Sequence, residues 1–409
     1  MVKLKSIVLL LLLPVNLFLV VIKYYTIGGI GSRKYDGKNL LALLKLTVYR
    51  TALLLGPVDS WLLNIVSVDF LLKIVKFQHE KTTSILHKFG EKYDSDSYWF
   101  VQQPDIKPED PIIIYLHGGG FFLQVQKEQI ESILAIYRLL DPKIQRKTSI
   151  LMLDYKLASD GYPFPTQLEQ LHSTYTSLVK DGHTNVTILG DSAGGNLSVG
   201  YLDYLKHNDH VIPPANLVMI SPWLKLEPEK DANTPGKSLF DSKLYDMISY
   251  NTFTDPAGLL AIIGDSPLQS LRVSPGSKKP YDVNDWKNCP TLSNPKGSVF
   301  VLVGEDEGLR DDILEWCHYA LDVPFYKLVK YGYSHENFVK HHHEFSKQDG
   351  LSASVHVFVE PWGIHDSCLF FENHLLAKLE KNSKLTLDDI DDVEFYGIKK
   401  ITNFLNDTL

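Results

Sequence analysis

Ser192 stands in Gly190-Asp191-Ser192-Ala193-Gly194, a serine with a glycine two residues away on each side. A serine hydroxyl is a weak nucleophile. Chemistry at such a residue needs a base within hydrogen-bond reach and donors for the oxyanion formed on attack. The surroundings suit that use. The apolar run Val-Thr-Ile-Leu (186–189) leads into the motif, and a helix-compatible stretch (196–205) follows it. A tight strand-to-helix turn lifts the hydroxyl clear of the sheet edge, and glycines are needed where backbones approach too closely for a Cβ. A second apolar run, Ile112–Leu116, ends in His117-Gly118-Gly119-Gly120. Adjacent glycines let amides turn toward an anion, so the N–H groups of Gly118 and Gly119, joined by that of Ala193, are the expected oxyanion donors.

The remaining partners should follow in the chain order serine, acid, histidine. His365 comes just after the apolar run 354–359 and two residues after Gly363. The run 298–303 ends in Gly304-Glu305-Asp306-Glu307-Gly308-Leu309-Arg310-Asp311-Asp312, which offers both Glu307 and Asp306 as the acid. His341, His342 and His343, with His335 and Glu336 nearby, lack the HExxH spacing and read as a solvated loop, so no metal site is expected.

Taken together, HGGGF (117–121), LDYKLASDGYPFPTQLEQ (153–170), GDSAGG (190–195) and ISPW (220–223) resemble the hormone-sensitive-lipase branch of the α/β-hydrolases. With an apolar N-terminal segment added, the pattern is most similar to the fungal steryl acetyl hydrolases and to the arylacetamide deacetylases. The resemblance covers residues 98 to the C-terminus. It implies a serine carboxylester hydrolase that needs no cofactor and removes a small acyl group, acetyl foremost, from sterols or other lipophilic alcohols. Laying Leu309-Arg310-Asp311 on the family's Leu-Arg-Asp puts Glu307 at the acid position, where Asp is usual. Asp366-Ser367 stand where Gly-Phe is common. The same triad also serves amidases, peptidases and broad lipases, and some relatives are ligand-binding receptors; those alternatives remain open on the sequence.

The elements that must hold these residues alternate. Apolar strands are expected at Tyr98–Gln102, Ile112–Leu116, Ser149–Asp154, Val186–Leu189, Leu217–Ile220, Ser298–Val303 and Ser354–Val359, with helices such as Glu128–Leu140 and Leu168–Val179 between them. Near-continuous apolarity implies strands covered on both faces, hence a mostly parallel central sheet flanked by helices. Residues 40–56 show an apolar face at helical spacing and a glycine stop. The expected organisation is an anchor (1–30), a helical cap region (31–97) and an α/β-hydrolase domain (98–409) carrying a long lid-like insertion (222–297). The polar stretch 331–350 reads as a loop. The acidic residues Asp388–Glu394 read as the N-terminal charge of a final helix with its cations toward the C-terminus.

Composition sets outer limits. The 409 residues are 44% hydrophobic and 22% charged, which excludes disordered, collagen-like and coiled-coil classes. A net charge of −8 disfavours nucleic acid as a partner, and no obligate protein partner is indicated. Cys289, Cys317 and Cys368 leave one disulfide or three thiols open. The apolar run Ile7–Ile22, preceded by Lys3 and Lys5, extends with Lys23, Tyr24 and Tyr25 to 19 residues, near the length of a single membrane span, and suits contact with membrane lipid. It is longer than the apolar stretch of a cleaved signal peptide, the competing reading, for which Gly28, Gly29 and Gly31 would be a late site. Its flanking charges are nearly balanced and choose no orientation. The resemblance implies the endoplasmic reticulum membrane with a lumenal catalytic domain. Sequons occur at Asn185, Asn196 and Asn406; Asn196, behind the nucleophile, is expected to be buried.

Overall fold

The computed structural model describes residues 2–208, 210–324 and 340–409. Eight strands form one sheet: β1 (Ser97–Val101), β2 (Ile112–Leu116), β3 (Ser149–Leu153), β4 (Val186–Asp191), β5 (Asn216–Ile220), β6 (Ser298–Gly304), β7 (Glu344–Lys347) and β8 (Ser354–Glu360). Their order is β1-β3-β2-β4-β5-β6-β8-β7. The six from β3 to β8 are parallel, while the edge strands β1 and β7 run antiparallel to their neighbours. Every residue of β1 to β6 is buried, as the uninterrupted apolar runs require of strands sandwiched between helices. The helices Lys127–Leu139, Thr166–Lys180, Ala193–Lys206, Arg310–Leu321 and Tyr396–Thr408 supply that cover.

All seven expected strands are present within two residues at each end. The sequence reading missed β7, whose Glu-Phe-Ser-Lys lies in the stretch read as a loop. An edge strand pairs on one side only, and this one is half solvated, so it needs no apolar signature. His343 corrects a second expectation. Lys340–His343 is a helical turn, and His343 is buried with Nε2 3.7 Å from the Glu305 carboxylate. His335 and Glu336 lie outside the described residues. The acidic stretch 388–394 is also not the first turn of the last helix. It forms a 3₁₀ turn and a capped bend before Tyr396, and that helix carries neither acids in its first turn nor bases in its last.

Two apolar helices precede the sheet. α1 (Leu4–Ile27) packs on α2 (Leu40–Asp59), and α3 (Val68–Gln78) follows. Gly56, at φ 67°, breaks α2 near its end, as the glycine stop suggested. α1 is long and apolar enough to cross a membrane. Leu4, Val8, Leu11, Val15, Phe18, Ile22 and Tyr25 form an exposed stripe along it. Both ends of the segment are tied to the body. The Ser6 hydroxyl donates to Asp59 at 2.5 Å and Lys3 pairs with Asp255 at 2.7 Å, while beyond the helix Arg33 pairs with Asp306 and Lys34 with Glu360. All three cysteines are buried thiols.

Candidate active site

The β4 strand delivers Ser192 into a sharp turn. Ser192 sits at φ 48° and ψ −112°, a conformation that costs energy for any side chain and is held by its surroundings. Its amide donates to the Ile220 carbonyl at 2.9 Å, and its carbonyl accepts from the Trp223 amide at 2.9 Å. The glycines of the motif make this turn possible. A Cβ on Gly194 would fall on the Leu116 carbonyl, and one on Gly190 would fall on the Gly194 backbone.

His365 and Glu307 arrive from the loops after β8 and β6, adjacent strands of the sheet. His365 Nε2 lies 3.0 Å from Ser192 Oγ, and Nδ1 lies 2.8 Å from Glu307 Oε1. The other oxygen of Glu307 accepts the Ser221 hydroxyl and the Gly304 amide, each at 2.8 Å. Glu307 is fully buried. Asp306, the other acid that the sequence offered, turns away and is engaged by Arg33.

The glycine turn after β2 closes the site from the other side. His117 is buried and stacks on Tyr155 at 4.2 Å. Burial pushes its imidazole down to about 4, so it stays neutral, and its Nδ1–H donates to the Gly118 carbonyl at 2.6 Å. The Gly118 amide is engaged with the Asp191 carboxylate. Gly119 and Gly120, both at positive φ, form the cavity wall beside Ser192. Asp191 also accepts from Tyr115 Oη and Gln129 Nε2, each at 2.7 Å. Burial, and then the nearby Asp366 charge, push Asp191 well above the usual carboxylate range.

Two participants were not named as site residues from the sequence. Asp246, from the insertion between β5 and β6, accepts the His365 amide at 2.8 Å and the Gly308 amide at 2.7 Å. One carboxylate thus ties the histidine loop to the acid loop. Burial raises it to about 7, against the pull of His365. The other is α2, which contributes Val48, Tyr49, Ala52 and Leu53 to the cavity over Ser192. Trp223, Met247, Ile248 and Phe253 of the insertion form the facing wall, and the enclosed volume is about 200 Å³. A neighbouring cavity of about 460 Å³ shares Phe122, Trp223, Thr252 and Phe253 with it.

Among the described residues no three His, Cys, Asp or Glu side chains cluster in a way that would hold a metal ion. The arrangement supplies a hydroxyl in line with an imidazole and a carboxylate, the requirements for transferring an acyl group through a serine.

The family model described as steryl acetyl hydrolase matches residues 65–344, a stretch holding Ser192, Glu307 and the glycine turn. The chain belongs to the steryl acetyl hydrolase family. Within it, mug81 of Schizosaccharomyces pombe is 34% identical over 236 residues, covering 56% of this chain and 60% of that one. Steryl acetyl hydrolase 1 of Saccharomyces cerevisiae is 33% identical over 131 residues, 31% of this chain and 30% of that one. The matched regions thus span less than two thirds of either relative. Among solved structures, carboxyl esterase 2 of Tuber melanosporum (TM-score 0.52, 16% identity, 76% of this chain and 82% of that one) shares the fold. So does an esterase of the bacterial hormone-sensitive lipase family (TM-score 0.51, 18% identity, 89% and 98%). The fold is that of the α/β-hydrolase esterases, with a mixed sheet and flanking helices, in line with the resemblance carried by the motifs.

Proposed function

We propose that this chain is a serine carboxylester hydrolase that removes a small acyl group, acetyl foremost, from a sterol or another lipophilic alcohol. One observation carries the reading: the buried line from Ser192 Oγ through both nitrogens of His365 to Glu307, at 3.0 and 2.8 Å. His365 takes the Ser192 proton as Oγ attacks the ester carbonyl, and Glu307 holds the imidazole in the tautomer that leaves Nε2 free. The amides of Gly119 and Ala193 hold the oxyanion, and Gly120 supplies the further donor because the Gly118 amide is occupied by Asp191. His365 then protonates the departing alcohol, and water repeats the sequence on the acyl-enzyme.

The cavity supports the substrate class. At about 200 Å³ it falls below the roughly 300–1,000 Å³ of sites that enclose a drug-sized ligand, so the acyl group fits within while a large alcohol extends beyond. The adjoining 460 Å³ cavity, reached past Phe122, Trp223 and Phe253, is the space for that alcohol. In this reading the insertion acts as a lid whose Trp223 and Phe253 rings, 4.9 Å apart, divide acyl from alcohol. Acetylated sterol is expected to be hydrolysed with a higher kcat/KM than the same sterol esterified with a long fatty acid, and Ser192→Ala is expected to hydrolyse neither. Release of the free sterol measured on both esters checks this. Preference for the long-chain ester would move the reading to a broad lipase, and faster cleavage of an acetanilide than of either ester would move it to an amidase.

α1 supports membrane attachment, since its exposed stripe would otherwise lie in water. We place the protein at the endoplasmic reticulum membrane with its catalytic part lumenal. There Asn185 and Asn406 are the glycan acceptors, because Asn196 is buried and donates to the Trp223 and Val273 carbonyls. Endoglycosidase treatment of membranes is expected to increase the mobility of the wild type and to leave Asn185→Gln/Asn406→Gln unchanged. A wild type that carries no glycan and is digested by protease added to intact vesicles would put the catalytic part on the cytosolic side.

A further inference from the structure

Nε2 of His365 faces a second carboxylate. Asp366 Oδ2 lies 3.2 Å from the same nitrogen that meets Ser192 Oγ at 3.0 Å. The Asp366 backbone sits in the left-handed region at φ 49°. The backbone around it is firmly held: its amide donates to Ser221 Oγ at 3.1 Å, and its carbonyl accepts from Leu369 and Phe370. The side chain is buried, lines the cavity beside Ser192, and has no hydrogen-bond partner at Oδ1 among the described residues. A buried carboxylate so placed carries a desolvation cost that needs offsetting.

Geometry leaves few proton arrangements. With Nδ1–H committed to Glu307, a neutral imidazole presents a lone pair at Nε2. A carboxylate 3.2 Å away would face that lone pair with its own, a repulsion that a proton held by the pair relieves. The proton resides on Nε2 as imidazolium beside Asp366 carboxylate, or on Asp366 as a carboxylic acid donating to Nε2. In both forms Nε2 is occupied and has no site for the Ser192 proton. The surroundings favour retention. Glu307 from the β6 loop, Asp191 from the β4 turn and Asp246 from the insertion are the other acids near the pair, and Tyr115 of β2 lies behind Asp191. Burial pulls His365 down, but Asp366 and Glu307 more than offset it, and its proton is held well above the ordinary imidazole range.

We propose that Asp366 is a further catalytic residue of this enzyme: it shares the proton on His365 Nε2 and so sets the pH at which the base becomes free to activate Ser192. The step balances as a simple loss. One proton leaves the Asp366–His365 pair to solvent, the pair then holds a neutral imidazole and a carboxylate, and Nε2 takes the proton from Ser192 Oγ as the C–O bond forms. During that transfer the Asp366 carboxylate stabilises the imidazolium from the Nε2 side, as Glu307 does from the Nδ1 side. The acid side of the rate profile belongs to the pair rather than to either residue.

The proposal rests on Ser192 and His365 acting as nucleophile and base. The test is the pH profile of kcat/KM for acetate release from phenyl acetate, using the full chain in detergent, for wild type, Asp366→Gly and Asp366→Asn. Thermal melts establish that each variant is folded. In both variants the midpoint of the acid limb is expected to move to lower pH by about one unit or more, the size expected when a neighbouring opposite charge is removed. Midpoints equal to the wild type in both variants would overturn the proposal. So would two folded variants inactive at every pH, since Asp366 would then be required outright rather than restrain the base. Ser192→Ala run alongside separates the two readings. Wild-type turnover in that variant would overturn the assignment of the site itself, whatever Asp366 does.

Discussion

Glu307→Gln is expected to lower kcat for a soluble acetate ester by about four orders of magnitude, the scale seen when the triad acid of a serine hydrolase becomes its amide. The cause is specific to this site. Two donors, the Ser221 hydroxyl and the Gly304 amide, converge on Oε2. In the variant they select the amide oxygen for that place and turn the NH₂ group toward His365 Nδ1. An NH₂ donor there forces Nδ1 to accept, which puts the ring proton on Nε2 and leaves no base for Ser192. Asp306→Asn is expected to keep kcat near the wild-type value, because Asp306 faces Arg33 instead. Steady-state kinetics on the two variants, with circular dichroism to confirm folding, checks both. Equal losses in the two would mean that the acidic loop matters through its charge and not through Glu307.

His365→Ala is expected to lose on the order of 10⁶ in kcat, and combining it with Ser192→Ala is expected to cost little more. Members of a triad act as a unit, so removing one already removes the contribution of the others. Residual turnover would then come from the oxyanion donors and from substrate binding. Multiplicative losses in the double variant would mean that the two residues work independently, and the 3.0 Å bond between them would have no mechanistic meaning.

The sheet was readable because its strands are buried on both faces: β2, with its Ile-Ile-Ile-Tyr-Leu, has no water-facing position to fill. The half-solvated edge strand β7, with Glu344 and Lys347 at its ends, had no reason to look like a strand. The Ser192 turn was legible because a strand, a glycine-bounded turn and a helix are contiguous in the chain, and its geometry is largely local. His365 was legible from its place after a strand. Residue type does not separate Glu307 from Asp306, since both are acids on one loop; packing places them differently, Glu307 against His365 and Asp306 against Arg33 from the segment after α1. Asp246 was invisible because 119 residues separate it from His365, in an insertion with no periodicity to place it. The part of α2 in the cavity was hidden for a related reason. An apolar helix face signals that something is covered, and Val48 and Leu53 cover the serine rather than the sheet.

The most direct measurement is covalent. A fluorophosphonate probe reacts with a serine only when its hydroxyl is activated by a base and the phosphoryl oxygen finds oxyanion donors. Mass spectrometry of the labelled, digested protein is predicted to find one adduct, on the peptide containing Ser192, and to find none in His365→Ala or in heat-unfolded protein. Label on a different residue, or a folded wild type that takes none while phenyl acetate is still hydrolysed, would contradict the account.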